Sequence, residues 1–301
     1  MNIQFPPYLQ PGDKVLIVSP SGKIDKQLLL SAKRRLQTWG LKVGIGRHAD
    51  GTCGKYAGTI KERLGDLQKA MDDASAKAIL CSRGGYGAVH LVDKLDFAAF
   101  AQHPKWLIGF SDITALHAVF QQKGFASLHA PMARHLVMEP ADDPCSEYLR
   151  SILFGELPHY ACEAHKLNHQ GTAQGILRGG NMAVAYGLRA TPYDIPPEGT
   201  VLFLEDVGER PHAVERMMYN LKLSGVLERL SGLIIGQFTD YAEDCSLGKE
   251  LYGALADLLK EYDYPICFNF PVGHVERNFP LIEGAPVELT VKKRKVTLKF
   301  V

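Results

Sequence analysis

A serine between two predicted elements is the first residue of this chain whose position suits a nucleophile. In the stretch 105–120 an apolar run ends at Gly109 and a helical pattern begins after Ser111. A sharp strand-to-helix turn lifts a serine hydroxyl away from the backbone and aims the N–H groups of the next helical turn at the same space. Those donors stabilise the oxyanion formed by attack on a carbonyl. Serine also serves as an ordinary helix N-cap, so other residues must decide between the two roles.

A glycine-rich turn supplies a second set of backbone donors. Gly84, Gly85 and Gly87 follow the predicted strand 78–80, and Cys81 stands just before them. Backbone N–H groups that no side chain shields suit an oxyanion hole or a phosphate cradle. The spacing of these glycines fits neither the dinucleotide-binding fingerprint nor the P-loop, so a nucleotide-binding role is disfavoured. The alternative is that these glycines only form a tight turn. Cys81 is a second candidate nucleophile, but it lacks the preceding glycine that is typical of a nucleophile at a strand-to-helix turn.

A serine nucleophile needs a base, and eleven histidines are available. His274 follows the predicted strand 266–268 and a glycine, where a chain leaves a sheet and can face a cleft. His129 follows a short apolar stretch near the same sheet edge as Ser111. His117 is less suitable because it lies well along the helix that starts at the serine. The residues alone leave the choice between His274 and His129 open.

The base in turn needs an acceptor that holds its tautomer. The apolar run 201–204 ends in Glu205 and Asp206. Successive strand residues point to opposite faces, so only one of the two acids can enter a given site. The sequence does not choose between them. Because it has no His-Glu-x-x-His, no EF-hand loop and no Cys/His cluster, we expect no metal.

The elements that position these residues form two groups. Short β-rich runs alternate with helical patterns in the first half, which predicts a parallel sheet with helices on its faces. The predicted strands are 15–18, 42–45, 78–80 and 106–108, and the predicted helices are 26–39, 61–71, 86–95 and 113–121. The second half predicts a mixed β/α domain that closes with antiparallel strands. We place the N-terminal domain at 1–155, a connecting segment at 156–170 and the C-terminal domain at 171–301. One short helix is predicted near 147–154, just before the connecting segment.

Composition excludes several classes of protein. With 46% hydrophobic and 22% charged residues among 301, and a net charge of +1, the chain has no reason to bind nucleic acid or a membrane. The N-terminal stretch lacks the features of an export signal, and no apolar run approaches the ~20 residues that span a bilayer. The six cysteines, at 53, 81, 145, 162, 245 and 267, show no paired spacing. We therefore interpret them as reduced thiols and expect a cytoplasmic protein.

Four segments together resemble the signature of the LD-carboxypeptidases, the muramoyltetrapeptide carboxypeptidases. They are Ser82-Arg-Gly-Gly-Tyr-Gly-Ala88, Gly109-Phe-Ser-Asp-Ile-Thr-Ala-Leu116, Leu204-Glu-Asp-Val-Gly-Glu209 with Val214-Glu-Arg-Met217, and Gly273-His-Val-Glu-Arg277. They occur in the family's order across nearly the whole chain. The resemblance implies an α/β fold, with a flavodoxin-like or amidotransferase-like parallel-sheet domain followed by a mixed β/α domain. It also implies a homodimer.

The resemblance also implies a catalytic role for particular residues. It makes Ser111 the nucleophile, Glu205 the orienting acid and His274 the base, which settles both open choices. It assigns the oxyanion hole to backbone N–H groups of Asp112 and of the turn Gly84-Gly85.

The implied activity is removal of the terminal D-Ala from cytosolic murein tetrapeptides during peptidoglycan recycling, by a serine carboxypeptidase without a cofactor. The substrate's terminal carboxylate needs a cation, and Arg83 beside the glycine turn is the first candidate, with Tyr86 as a second substrate contact. Two alternatives remain. One is a peptidase of the same family that hydrolyses an antibiotic peptide–nucleotide conjugate and confers immunity; the other is a non-catalytic muropeptide-binding protein.

Overall fold

The chain divides into two compact units in a computed structural model that describes residues 3–243 and 247–301. One unit extends through Leu157 and includes Phe279–Glu283, and the other holds Pro158–Asn278 and Gly284–Val301. The segment Phe279–Glu283 thus returns to the first unit, although the boundaries inferred from the sequence keep 171–301 together. Cys245 lies outside the described residues, and the cysteines at 53, 81, 145, 162 and 267 are free thiols. No helix in the described ranges is long and apolar enough to cross a membrane.

The first unit is built on a sheet with the strand order β11-β5-β4-β3-β1-β2. Its strands are β1 (Lys14–Val18), β2 (Lys42–Ile45), β3 (Ala76–Cys81), β4 (Trp106–Gly109), β5 (Ser127–His129) and β11 (Leu281–Glu283). Its helices are α1 (Lys26–Thr38), α2 (Ile60–Asp72), α3 (Ala98–Gln102), α4 (Thr114–Gln122), α5 (His135–Met138) and α6 (Pro144–Leu153). The strands are parallel except β11, which pairs antiparallel with β5. Strand β4 is apolar and fully buried, as expected for a parallel strand covered on both faces.

The order β2-β1-β3-β4-β5 is the flavodoxin-like order of a doubly wound sheet. Its direction reverses between β1 and β3, and ligands bind beyond the carboxyl ends of the strands at such a reversal. The turn 19–22 follows β1, the glycine turn follows β3, and Ser111 follows β4. The fold therefore places the three small-residue turns at one edge of this sheet.

The predicted helix over 86–95 is wrong. The structure has only a short 3-10 helix, Ala88–His90, preceded by Gly87 in the left-handed conformation at φ 119°. The carbonyl of Gly87 accepts a hydrogen bond from the buried guanidinium of Arg63 at 2.8 Å. Because the Gly87 carbonyl accepts its hydrogen bond from a side chain and not from a backbone N–H of a following turn, the apolar residues after it do not form a regular helix.

The second unit contains a sheet with the strand order β10-β9-β8-β7-β12-β13-β6. Its strands are β6 (His159–Glu163), β7 (Gly171–Asn181), β8 (Thr200–Val207), β9 (Gly232–Thr239), β10 (Ile266–Gly273), β12 (Pro286–Val291) and β13 (Lys295–Phe300). Its helices are α7 (Met182–Gly187), α8 (Pro211–Leu223) and α9 (Leu251–Leu259). Strands β7 to β10 are parallel, and β12, β13 and β6 pair antiparallel. Leu204, Phe238 and Phe268 pack with residues of α8 and α9 in the apolar core of this unit.

The predicted fold class is confirmed: a parallel-sheet α/β domain is followed by a mixed domain that closes with antiparallel strands. Three strands were not predicted: the residues of β5 were recognised only as part of a short apolar stretch before His129, and β6 and β11 were missed altogether. Strand β6 lies in the stretch read as a connecting segment, and only Tyr160 of its five residues is buried. Strand β11 is three residues long. Such short strands carry too few apolar positions for the pattern to show, and only their sheet partners define them.

Candidate active site

Ser111 occupies a strained bend at the end of β4. Its backbone has φ 65°, in the left-handed region that residues other than glycine rarely adopt. It begins a 3-10 turn, Ser111–Ile113, and the N-cap of α4 is Ile113, so Ser111 is not the cap of that helix. A Cβ on Gly109 would lie 2.9 Å from Ile113 Cγ1, which explains the glycine. The half-buried hydroxyl therefore has the setting of a nucleophile elbow.

The glycine turn after β3 faces the Ser111 hydroxyl. A Cβ on Gly84 would lie 2.9 Å from Ser111 Cβ, 3.0 Å from Ser111 Oγ and 3.5 Å from the backbone nitrogen of Asp112. Gly85 has φ 127°, and Gly22 donates its N–H to the Gly84 carbonyl at 3.2 Å. Only a residue without a side chain allows this approach of backbone to hydroxyl. Ser111, the Asp112 amide and the Gly84-Gly85 turn are thus brought together within one unit.

Two buried charges hold these turns in place. Asp112 Oδ2 accepts hydrogen bonds from Ser21 Oγ at 2.5 Å and from the Ala88 N–H at 2.9 Å. Arg63 Nη1 donates to the carbonyls of Pro20 and Gly87 at 2.7 and 2.8 Å. Burial lowers the pKa of Arg63, and the nearby Asp112 carboxylate opposes that shift. The sequence did not predict either role, because Arg63 looks like a surface residue of α2 and Asp112 was considered only as a backbone N–H donor of the oxyanion hole.

The alternative nucleophile and bases are buried in this unit. Burial, and secondarily the Asp112 charge, raise the pKa of the Cys81 thiol, which disfavours the reactive thiolate. His129 is fully buried in β5 between β4 and β11. His117 lies with one ring nitrogen 2.8 Å from Ser127 Oγ and the other 2.8 Å from the Gly109 carbonyl. Burial lowers the pKa of His117 to about 4. These contacts give His117 a structural role beneath the elbow.

Arg83 and Tyr86 flank the glycine turn. Arg83 is half-buried, and its Nη1 donates to the Lys23 carbonyl at 3.2 Å. Burial, together with the positive charge of Arg134, lowers the pKa of Arg83. The two guanidinium groups form no ion pair with a carboxylate of the described residues. Tyr86 is 47% exposed, and its ring centroid lies 5.5 Å from that of His90. Sequence reasoning missed Arg134, since it stands in a loop without a motif.

The second unit brings His274 and Glu205 together. His274 follows β10, and its Nδ1 lies 2.7 Å from Oε2 of the fully buried Glu205 in β8. A carboxylate only accepts, so the proton is on Nδ1 and Nε2 carries the lone pair that a base needs. Burial lowers the pKa of His274, but the hydrogen bond and charge of Glu205, with Asp206 and Asp240, raise it above its ordinary value. Gly273 adopts φ 134°, and a Cβ there would lie 3.1 Å from Glu205 Cβ.

Asp206 points away from this pair. Its Oδ1 accepts from Asn181 Nδ2 and its Oδ2 from the Ala183 N–H, each at 2.8 Å. It therefore fixes the start of α7. Burial raises the pKa of Asp206 to about 6, although these hydrogen bonds oppose the shift. The alternation expected for neighbouring strand residues thus places Glu205, and not Asp206, against His274.

We expect Gly84→Ala to lower kcat for the hydrolysis proposed below by about 10²-fold, similar to the loss of one oxyanion donor. The reason is that the new methyl group must displace the Ser111 side chain or the turn. The matched control is Gly65→Ala in α2, where a Cβ meets nothing within 4 Å. Steady-state kinetics and thermal unfolding of both variants check this. An active, well-folded Gly84→Ala protein would contradict the close approach.

Comparisons with known proteins give a consistent result. Residues 15–130 match the family model of the LD-carboxypeptidase N-terminal domain, and residues 174–289 match that of the C-terminal domain. The murein tetrapeptide carboxypeptidase of Pseudomonas aeruginosa is 32% identical over 283 residues, covering 89% of this chain and 91% of that protein. The crystal structure of muramoyltetrapeptide carboxypeptidase from Oxalobacter formigenes has a TM-score of 0.86 at 26% identity, covering 95% and 98% of the chains. The microcin C7 self-immunity protein, at 22% identity and TM-score 0.86 with 98% of each chain covered, shares the fold.

Proposed function

The chain belongs to the LD-carboxypeptidase family, and on that premise we propose that it is a serine carboxypeptidase that releases the terminal D-Ala of murein tetrapeptides during peptidoglycan recycling. The observation that carries the proposal is the Ser111 elbow, with its left-handed backbone and its hydroxyl against the glycine turn and the Asp112 amide. The His274–Glu205 pair at 2.7 Å supports it from the second unit.

In the proposed mechanism Ser111, His274 and Glu205 act as one triad. Ser111 Oγ attacks the carbonyl carbon of the third residue while His274 Nε2 takes the hydroxyl proton. The tetrahedral intermediate collapses, the C–N bond breaks, and His274 gives that proton to the departing D-Ala amine. Water then attacks the acyl-serine with His274 again as the base, the ester C–O bond breaks, and His274 returns the proton to Ser111 Oγ as the shortened peptide leaves with a new carboxylate. Glu205 holds the imidazole orientation and stabilises the imidazolium formed in each half-reaction.

The proposed oxyanion hole consists of the backbone N–H groups of Asp112 and of the Gly84-Gly85 turn. Support comes from the closeness of Gly84 to both Ser111 Oγ and the Asp112 nitrogen. Each well-aligned donor contributes about 3 kcal/mol to stabilisation of the transition state. The Asp112 carboxylate and Arg63 clamp the turns that carry these donors, so the site needs little reorganisation when charge develops.

For the terminal carboxylate of the substrate we propose Arg83, assisted by Arg134, with Tyr86 as a neighbouring contact. Two guanidinium groups near each other without a carboxylate partner among the described residues favour an anionic ligand. The half-exposed Tyr86 ring, with Lys55 Nζ 4.5 Å from its centroid, borders the same turn.

Further parts of the proposal rest on the family resemblance. We propose a homodimer in the cytoplasm that takes neither nucleic acid nor a membrane as a partner. The nucleophile lies in the N-terminal domain, 1–155, and the acid and base lie in the C-terminal domain, 171–301, beyond the connecting segment 156–170.

A small peptide panel tests the function. We expect release of D-Ala from an LD-tetrapeptide, with diaminopimelate or lysine as the third residue and with or without the muramoyl sugar. We expect much slower cleavage when the last residue is L-Ala, and a raised KM when the D-Ala carboxylate is amidated, because Arg83 then loses its anion. Chromatography of the released amino acid is the measurement. A protein that leaves all tetrapeptides intact, or cleaves only a peptide–nucleotide conjugate, would contradict the proposal.

A further inference from the structure

A cavity of about 750 Å³ opens within the second unit, apart from the residues assigned above. Its walls come from β6, β9 and β10, from the loop after β10 and from the turn between β12 and β13. Its polar lining includes Glu163, Gln237, Asn269, Arg277, Arg294 and Lys295. The volume falls in the range typical of sites for small organic molecules, ~300–1,000 Å³. The cavity is therefore large enough for part of a peptide.

The charge of the cavity is unbalanced. Three cationic side chains, Arg277, Arg294 and Lys295, face one carboxylate, Glu163. Neither Arg294 nor Lys295 forms an ion pair with an acidic residue in the described part of the chain. The same turn carries two further exposed lysines, at 292 and 293. A concave surface of one sign attracts ligands of the other, so this cavity favours an anion.

The cavity lies close to the base along the chain and in the strand pairing. Arg277 is three residues beyond His274, a span of at most ~11 Å. Gln237, in the cavity wall, pairs with Gly273 in the β9–β10 register. The pairing of β8 with β9 is irregular between Leu204 and Asp206, so the nearness of the cavity to His274 rests on the Gln237–Gly273 pairing and on the short span to Arg277.

We propose that this cavity is a subsite for carboxylates of the substrate peptide upstream of the scissile bond; the inference rests on the function proposed above. A peptide whose reacting carbonyl lies at His274 advances about 3.5 Å per extended residue, so a carboxylate one or two residues upstream comes within reach of Arg277. Arg294 and Lys295 then supply the opposing charge, and the Gln237 and Asn269 amides can donate to the remaining oxygens. The subsite selects acidic peptides before chemistry begins.

The test combines a change in the cavity with a matching change in the peptide. The double variant Arg294→Gln/Lys295→Gln removes two exposed charges and leaves the His274 loop intact. Its matched control is Lys293→Gln, in the same turn but outside the cavity lining. The substrates are an LD-tetrapeptide with a free carboxylate on its second residue and the same peptide with that carboxylate amidated.

We expect the double variant to raise KM for the acidic peptide about tenfold with kcat unchanged, and to leave KM for the amidated peptide as in the wild type. Lys293→Gln should change neither. Calorimetric binding of both peptides to Ser111→Ala, with and without the double variant, should show the same tenfold difference in Kd for the acidic peptide alone. High salt should reduce that difference.

Three outcomes would overturn the subsite: equal losses with both peptides, no loss with either, or an equal loss in Lys293→Gln. Failure of the proposed function looks different, because the wild type then releases no D-Ala from either peptide. In that case the binding measurement still decides the subsite. The subsite would be supported if Ser111→Ala bound the acidic peptide more tightly than the amidated one and the double variant abolished that difference.

Discussion

Ser111→Ala is expected to lower kcat for D-Ala release by about 10⁵- to 10⁶-fold while the peptide still binds. The substitution removes the atom proposed to form the acyl intermediate and leaves the proposed oxyanion donors, which by themselves give a small residual rate. Binding measured by calorimetry should change less than threefold, because the methyl group of alanine keeps the space of the serine Cβ. Initial rates of D-Ala release provide the first measurement.

The control for Ser111→Ala is Cys81→Ala, which removes the alternative nucleophile. Cys81 is fully buried and its pKa is raised, so we expect its loss to reduce kcat by less than tenfold. Circular dichroism should show both variants folded. If Cys81→Ala were the inactive protein and Ser111→Ala the active one, the assignment of the nucleophile would be reversed.

The strained backbone at Ser111 should also affect the free energy of unfolding. With φ 65°, alanine keeps the unfavourable left-handed backbone, whereas glycine adopts it without a steric penalty. We therefore expect Ser111→Gly to exceed Ser111→Ala in free energy of unfolding by about 1 kcal/mol, although both are inactive. Urea unfolding of the two variants checks this. Equal stabilities would show that the bend is not strained.

Glu205→Gln is expected to lower kcat by about 10⁴-fold with little change in KM. The amide keeps the shape of the side chain, but its NH₂ group can donate to His274 Nδ1 and so place the ring proton on Nε2. In that tautomer the imidazole cannot accept the serine proton, which is the reason for the size of the effect.

The pH dependence of the same variant has a definite sign. The proposed mechanism needs neutral His274, so we expect wild-type activity to rise with pH through the pKa of His274, which Glu205 helps to raise. In Glu205→Gln the raising charge is gone while burial still lowers the pKa. The acid limb of the kcat/KM profile should therefore move to lower pH. NMR titration of the His274 ring in Ser111→Ala and Ser111→Ala/Glu205→Gln measures the shift directly.

Asp206→Asn is the control for this prediction, since it neutralises the adjacent acid without touching the His274 hydrogen bond. We expect its acid limb to move less than that of Glu205→Gln and its kcat to fall less than tenfold. Its main effect should be on stability, through the start of α7. An acid limb that stays fixed in Glu205→Gln would rule out the proposed coupling.

Much of the fold follows from local pattern. The predicted strands 106–108 and 42–45 and the predicted helix 26–39 agree with β4, β2 and α1 to within one residue at each end. The spacing of apolar residues in these elements and the residues that cap the helix are set by near neighbours in the sequence. At the start of α1, for example, Asp25 accepts a hydrogen bond from the Gln27 N–H. The errors fall where distant residues decide. A side chain of α2, Arg63, holds the backbone of the stretch predicted to be helical, and β11 gains its hydrogen bonds only from β5.

The sequence by itself determined that Ser111 stands between an apolar strand and a helix, that a glycine turn follows β3, and that two adjacent acids follow the apolar run of β8. These are facts of residue order and of the two-residue period of a strand. Residue order left the choice between Glu205 and Asp206 open until the family resemblance favoured Glu205, and the tertiary structure supplied the contacts: Glu205 meets His274, Asp206 meets Asn181, and Gly84 leaves room for the Ser111 hydroxyl. The physical reason is distance along the chain: 69 residues separate Glu205 from His274, and no local pattern specifies which strands pair or which faces meet.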